Sequence, residues 1–132
     1  MRPFTVAAAA LIALGAAVPA QAADEAPAPR QRGLFLTVSG SDNTWVRGVL
    51  LRCHPRPDGH GHHPHAAKAC AAIGRAKGNF DKLADEPHAC TKQYDPVTVT
   101  ATGTYRGRSV NWHKKYSNAC AMDVDTAHVF RF

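Results

Sequence analysis

A lysine in a short segment between a cysteine and a proline is the feature of this sequence that points most directly to chemistry. The segment covers residues 89–96 and reads ACTKQYDP, with Lys92 near its middle. A lysine in an extended stretch fits a primary pocket with a carboxylate at its base, as in a trypsin-like protease. Such a segment is ordinarily cut. If it is held rigid before binding, little ordering entropy is lost and the new amine stays beside the acyl-enzyme. The segment is therefore a candidate substrate-like loop.

A histidine-rich loop, residues 54–65, is the second candidate site. Neutral imidazole binds Zn, Cu and Ni, and five imidazoles fall in this loop: His54, His60, His62, His63 and His65. Apart from Asp58, no carboxylate or cysteine in the loop completes a tetrahedral ligand set. We predict no metal site and no cofactor, and a secreted metal-binding module remains an alternative.

A small secreted nuclease-like enzyme is the remaining alternative. Its acid, base and cationic groups would have to come from this set: Glu86, His88, His113 and Arg106 or Arg108. No motif orders these residues, and neither Gly-x-Ser-x-Gly nor His-Glu-x-x-His occurs. Lysine and arginine are also scattered, without a nucleic-acid-binding module. We therefore predict that the chain is not an enzyme and has no nucleic-acid partner.

The N-terminus has the form of a secretory signal peptide. Arg2 supplies a positive start, residues 4–20 carry no charge, and Ala20-Gln21-Ala22 suits signal peptidase. The apolar run is too short and alanine-rich for a spanning helix and is broken by Pro19. We predict a signal peptide at 1–22, cleaved after Ala22 or Ala23, and a secreted, extracellular protein that has no membrane partner after cleavage.

The rest of the chain reads as one small α+β domain. Residues 23–32 are alanine, proline and charge, which predicts a disordered leader before a folded domain at 33–132. A helix is predicted at 66–77, ending before Gly78, and a short helical turn within 117–125. Strands are predicted at 34–38, 45–53, 97–104, 109–116 and 128–132, with a hairpin turn at 105–108. The order β-β-α-β-β-β implies an antiparallel sheet with helix on one face.

The four cysteines all follow the signal peptide. Export permits disulfides, and an even number fits a closed framework, although four cysteines allow three connectivities. A domain near 100 residues builds only a modest core, so two disulfides would contribute materially to its stability.

Four pieces of the sequence, in order, resemble the Streptomyces subtilisin inhibitor family of secreted protease inhibitors. They are Cys53-x-Pro55 with Gly59, His63-Pro64 and Ala69-Cys70; Cys90-Thr91-Lys92-Gln93-Tyr94-Asp95-Pro96-Val97; Ser117-Asn118-Ala119-Cys120-Ala121-Met122; and Val129-Phe130-Arg131-Phe132. The resemblance runs from about Gly33 to the last residue.

The resemblance implies a fold and a set of roles. The fold would be a five-stranded antiparallel sheet with two short helices on one face, two disulfides and a sheet-mediated homodimer. The disulfides would join Cys53 to Cys70 and Cys90 to Cys120. The reactive bond would be Lys92–Gln93, with Lys92 in the primary pocket of the protease. Contacts with the protease would come from Ala89, Cys90, Thr91 and Tyr94, and loop support from Asn118 and Pro96.

Two departures from the family pattern bear on the target. Thr91 stands where the family often has proline, and its β-branched side chain and hydroxyl can stiffen the loop in another way. Ala89 stands where a larger apolar residue is frequent, which weakens the expected fit to subtilisin-like enzymes. Together with Lys92, this predicts trypsin-like serine proteases as the better partners, with inhibition of subtilisin-like proteases also expected.

Overall fold

The computed structural model describes residues 32–84 and 86–132. The predicted signal peptide, and the predicted leader except for its last residue, lie outside the described residues. Within the described part, no helix is long and apolar enough to cross a membrane.

Four strands form one antiparallel sheet in the order β2-β1-β3-β4. Their bounds are β1 (Leu34–Ser39), β2 (Val46–Leu51), β3 (Val97–Tyr105) and β4 (Arg108–Tyr116). The central pair shows why the sequence alternates: Leu34, Leu36 and Val38 of β1 are buried, whereas Phe35 between them is exposed. A period of two places the apolar residues of each strand on a single face.

Two α-helices complete the fold, α1 (Ala66–Arg75) and α2 (Ala119–Thr126). Single 3₁₀ turns lie at Ser41–Asn43 and Phe80–Lys82. Past the end of α1, Gly78 has a φ of 79° and its N–H donates to the carbonyl of Ile73 at 2.9 Å. This left-handed glycine closes the helix where the sequence predicts its end.

The core lies between one sheet face and the two helices. Its largest fully buried side chains come from strands, helices and the C-terminal segment: Phe130, Leu34, Leu36, Leu51, Ile73, Val99, Val129 and Thr126. Helix residues and alternate strand residues belong to one continuous cluster, so both helices pack on the same face of the sheet. On β1, the opposite face exposes Phe35, which is 45% accessible.

The turn between β3 and β4 forms as the sequence predicts. Arg106 and Gly107 occupy it with φ values of 48° and 77°. Two consecutive left-handed residues make the two-residue turn that matches the twist of a hairpin.

The predicted fifth strand at 128–132 is wrong, so the described sheet has four strands and the element order ends β-β-α. The chain reverses at Ala127, whose φ is 50°, and the N–H of Val129 then bonds the carbonyl of Thr126 at 3.1 Å. Val129 and Phe130 are almost completely buried. Their apolar character therefore reflects burial in the core without strand pairing.

Candidate functional site

The segment around Lys92 is an exposed loop without regular secondary structure. Thr91, Lys92, Gln93 and Tyr94 are all exposed, and the Tyr94 side chain is 72% accessible. The ammonium group of Lys92 has no hydrogen-bond or ion-pair partner among the described residues. The loop therefore presents the Lys92 side chain to solvent without a partner in the described part of the chain.

Asn118 braces this loop from behind. Its Nδ2 donates to the carbonyl of Thr91 at 3.2 Å and to the carbonyl of Gln93 at 2.9 Å. These two carbonyls lie on either side of Lys92. The same side chain is the N-cap of α2, because its Oδ1 accepts from the N–H of Ala121 at 2.8 Å. One amide group thus joins the start of a helix to both flanks of Lys92.

Covalent and backbone links hold the two ends of the loop. The disulfide Cys90–Cys120, called here the loop disulfide, ties the loop to the first turn of α2. On the other side of Lys92, the N–H of Asp95 donates to the carbonyl of Ser117 at 3.0 Å. Pro96, which follows, has its φ set by its ring, and β3 begins one residue later.

The chain leading into the loop is attached to the C-terminal part of the domain. The N–H of Glu86 donates to the carbonyl of Val124 in α2 at 2.8 Å. Its carboxylate lies 3.3 Å from Arg131 Nη2 and 3.3 Å from His128 Nδ1. Arg131 also lies 3.7 Å from Asp123, whose carboxyl pKa is raised by burial despite the opposing charge of Arg131.

A second polar group fixes α2 against β4. The Tyr116 hydroxyl and the Lys114 ammonium both donate to Oδ2 of Asp125, the latter at 2.7 Å. Burial alone would raise the pKa of the Asp125 carboxyl, but these two hydrogen bonds outweigh it and the pKa lies below its usual range. Burial, together with the hydrogen bond to Asp125, raises the pKa of Tyr116. Helix α2, which carries the loop disulfide, is thus anchored to β4 by two hydrogen bonds to the Asp125 carboxylate.

The second disulfide, Cys53–Cys70, called here the helix disulfide, ties the end of β2 to α1. Beside this part of the chain, His63 is 4% accessible. Its Nδ1 accepts from the N–H of His65 at 3.0 Å, so its Nε2 carries the proton and donates to the carbonyl of Val129 at 2.9 Å. Burial lowers the pKa of this imidazole. His63 is thus a neutral structural link to the C-terminal segment.

The histidines of loop 54–65 do not converge on a common point. His63 uses both ring nitrogens within the fold, and His54 Nε2 accepts from Arg106 Nε at 3.0 Å. Over residues 32–84 and 86–132, the one group of three potential ligands close enough to share an ion is His88, Cys90 and Cys120. Both of those cysteines are in the loop disulfide, which leaves no thiolate to bind a metal.

The residues considered for an enzyme are dispersed in the same way. Glu86 is paired with His128 and Arg131, whereas Arg106 lies in the turn at the other end of β3. His113 lies in β4, paired in register with Thr100. His88 lies next to Glu86, but its Nδ1 lies 2.9 Å from the backbone carbonyl oxygen of Glu86, whereas the Glu86 carboxylate contacts His128 and Arg131. Within the described residues, the candidates named for an enzyme therefore form no acid–base pair with one another.

Several contacts that shape the site had no signal in the sequence. The contacts of Asp95 with Ser117 and of Glu86 with Val124 are between backbone atoms, and a side-chain pattern does not encode them. The group of Tyr116, Lys114 and Asp125 joins a strand to a helix nine or more residues away. A tyrosine at the end of a strand is often partly buried for packing alone, so the sequence does not predict that Tyr116 hydrogen-bonds the Asp125 carboxylate.

Known proteins match this chain over most of its folded part. A family model described as subtilisin inhibitor-like matches residues 31–118. A subtilase-type protease inhibitor from Streptomyces fradiae is 41% identical over 105 residues, which span 75% of this chain and 72% of that protein. A subtilisin inhibitor from Streptomyces violaceus is 39% identical over 110 residues, which span 74% of each chain.

A solved structure matches at the level of the fold. Streptomyces caespitosus sermetstatin, crystallised in complex with Bacillus licheniformis subtilisin, aligns with a TM-score of 0.59 and 31% sequence identity. The alignment covers 76% of this chain and 97% of that one.

Proposed function

The chain belongs to the subtilisin inhibitor-like family, whose members are protease inhibitors rather than enzymes, and from this premise we propose that it acts by the standard mechanism on the Lys92–Gln93 bond. In that mechanism the protease binds the loop as a substrate and attacks the bond. The new amine is held in place and the bond reseals faster than the acyl-enzyme is hydrolysed. The inhibitor therefore has to keep both sides of the cut bond where they were.

The observation that carries this proposal is the double hydrogen bond from Asn118. It reaches the carbonyl of Thr91, before Lys92, and the carbonyl of Gln93, after the bond to be cut. After cleavage, the Gln93 side would still be held by Asn118, and the Thr91 side by Asn118 and the loop disulfide. The amine of Gln93 then stays close to the acyl carbon, which favours resealing.

Lys92 sets the preferred target. Its ammonium has no partner among the described residues, so no ion pair has to be broken when it enters a pocket with a buried carboxylate. Trypsin-like enzymes have such a pocket. Thr91, Cys90 and Ala89 would occupy the preceding subsites, and Gln93 and Tyr94 the following ones. The small Ala89 side chain offers little apolar area to a subtilisin-like enzyme, for which we propose weaker inhibition.

Residual activity of trypsin and of subtilisin after incubation with the purified protein tests this function. We expect stoichiometric inhibition of both enzymes, with the tighter binding to trypsin. Lys92→Ala is expected to lose trypsin inhibition and to keep part of the subtilisin inhibition. Lys68→Ala, an exposed lysine in α1 that leaves the loop untouched, is the matched control. Rapid degradation of the wild-type protein, without inhibition of either enzyme, would show that the proposal is wrong.

We also propose that the protein is exported and forms a homodimer through its sheet. The two disulfides suit an oxidising compartment, and the predicted signal peptide supplies the route. On the sheet face away from the helices, Phe35 is 45% and Val46 of β2 is 60% accessible. Large exposed apolar side chains on an otherwise threonine-rich face support a partner surface there. This face lies opposite the core, which leaves the loop accessible in the dimer.

A further inference from the structure

A basic cavity lies at the end of the sheet farthest from the protease-binding loop. It has a volume of 610 Å³ and is formed by the start of β1, the end of β2 and the β3–β4 turn. Its basic lining residues are Arg32, Arg52, Arg106 and His54. Cavities of about 300–1,000 Å³ are the usual size for small-molecule sites.

The arginines in this cavity are not neutralised by carboxylates of the fold. None of the three has an acidic partner within 4.0 Å in the part of the chain that the structure describes. The nearest acidic residue along this stretch is Asp58, whose N–H donates to the carbonyl of Arg52 at 2.6 Å. Even so, the side chains of Asp58 and Arg52 form no ion pair. The cavity therefore keeps an excess of positive charge.

Arg52 carries a donor without an acceptor. Its Nε is buried and has no hydrogen-bond partner among the described atoms. Its aliphatic part lies close to Gly33, since a Cβ built at that glycine would stand 2.9 Å from Arg52 Cγ. Because this Nε is shielded while the residue as a whole is only partly buried, a ligand oxygen would have to bind the terminal nitrogens of the Arg52 guanidinium.

Arg106 is held at the rim of the cavity in a defined position. Its Nε donates to His54 Nε2 at 3.0 Å, and its guanidinium lies 5.5 Å from the ring centroid of Tyr105. This contact is with an imidazole and not with a carboxylate, so it does not compensate the charge of Arg106. Among the described residues, no hydrogen bond or ion pair occupies the terminal nitrogens of this guanidinium, which can bind an anion in the fork geometry that suits phosphate.

We propose that this cavity binds a small organic phosphate. The phosphate oxygens would be held by Arg52 and Arg106, with Arg32 adding charge, and the organic part would lie against the accessible edge of Tyr105. Arginine is the side chain best matched to a phosphate, and the apolar lining distinguishes an organic phosphate from the free ion.

This site would work independently of protease inhibition. The loop immediately precedes Val97 and the cavity adjoins Tyr105, at the two ends of β3. Eight residue steps along a strand correspond to about 26 Å. A bound phosphate and a bound protease could then occupy the molecule together.

Calorimetric titration of the full secreted protein with phenyl phosphate, in phosphate-free buffer, tests the site. We expect saturation at one ligand per chain. Arg52→Gln and Arg106→Asn should each weaken binding at least about tenfold, the effect of losing one charge-assisted hydrogen bond. Asparagine accepts the left-handed backbone of position 106, so that variant keeps the turn. Arg108→Gln, which removes the same charge beside the cavity but outside its lining, should change binding by less than about twofold.

Inorganic phosphate and phenol separate the two parts of the ligand. We expect phenyl phosphate to bind more tightly than either. Equal affinity for inorganic phosphate would overturn the role of the apolar lining, and equal affinity for phenol would overturn the role of the arginines. Absence of saturable binding, or an equal loss in Arg108→Gln, would overturn the site itself. Trypsin inhibition measured in the same samples should be unchanged, so that this result and the protease-inhibition assay fail separately.

Discussion

Replacing Asn118 with aspartate should damage inhibition while sparing the helix that Asn118 caps. Aspartate keeps the oxygen that accepts from the N–H of Ala121, and its charge at the start of α2 is favourable. It cannot donate to the carbonyls of Thr91 and Gln93, and it sets a carboxylate oxygen against both. Alanine at the same position removes the cap and both loop contacts together.

The magnitude follows from the number of bonds lost. Two neutral hydrogen bonds at an exposed site contribute about 0.5–1.5 kcal/mol each, so the loop loses about 1–3 kcal/mol of support. This corresponds to inhibition weakened by about 5- to 150-fold. The loss of the cap in Asn118→Ala should lower the free energy of unfolding by a further 0.5–2 kcal/mol or so relative to Asn118→Asp.

Two measurements on the same samples check this reasoning. The inhibition constant against trypsin and the rate of cleavage at Lys92–Gln93 report on the loop, and urea unfolding reports on the helix. We expect Asn118→Asp to be cut faster than wild type and to be more stable than Asn118→Ala. If Asn118→Asp inhibits as tightly and survives as long as wild type, the double hydrogen bond does not hold the loop.

Three further predictions concern the disulfides, a buried histidine and the sheet face. Replacing both cysteines of the loop disulfide with serine should turn the inhibitor into a substrate, whereas the same change at the helix disulfide should cost about 3 kcal/mol of stability and leave the loop of the folded protein uncut. Protease digestion followed by mass spectrometry distinguishes the two variants, and equal cleavage of both would contradict the role given to the loop disulfide. Because the pKa of His63 is lowered in the folded state, His63 of the unfolded chain is protonated first as the pH falls, so the free energy of unfolding should decrease below about pH 6.5. The difference between the free energies of unfolding in urea at about pH 5 and about pH 7.5 should be smaller in His63→Gln than in wild type, and an unchanged difference would exclude this histidine as the source. Phe35→Glu and Val46→Glu should each give a monomer in analytical ultracentrifugation with trypsin inhibition intact, and a wild-type protein that is already monomeric would refute the proposed interface.

The strands and the first helix could be predicted because their apolar residues repeat with the period of the element. Leu34, Leu36 and Val38 alternate with exposed positions, which is the pattern of a strand with one buried face. The two-residue turn at Arg106 and Gly107 follows from the glycine and from the lengths of the flanking strands. In these places the local pattern and the tertiary structure agree.

The C-terminal segment could not be predicted in this way. Val129 and Phe130 are as apolar as any strand residue, but the tight reversal at Ala127 turns them into the core one after the other. Burial of a short apolar run is compatible with a strand, a helix or an irregular segment, and sequence alternation alone does not separate these cases.

The chemistry of the site could be predicted further than its construction. The exposed lysine, the cysteine before it and the proline after it are visible in the sequence, and the resemblance added Asn118. The hydrogen bonds that hold the loop mostly end on backbone carbonyls, as with Thr91 and Gln93. Every residue has a carbonyl, so sequence reasoning cannot choose among them.

The lack of any partner for the Lys92 ammonium bears on how this protein can change over evolution. If Lys92 selects the protease as proposed, the selecting side chain is exposed and has no partner among the described residues, whereas Asn118 and Cys120, which hold the loop, belong to the start of α2. A change at position 92 can therefore redirect the inhibitor to another protease without a loss of stability to compensate. A change at position 118 weakens the loop and the helix together and leaves no such freedom. Under the proposed mechanism, specificity and durability would be encoded at separate positions, which would allow one scaffold to follow a changing set of proteases by single substitutions.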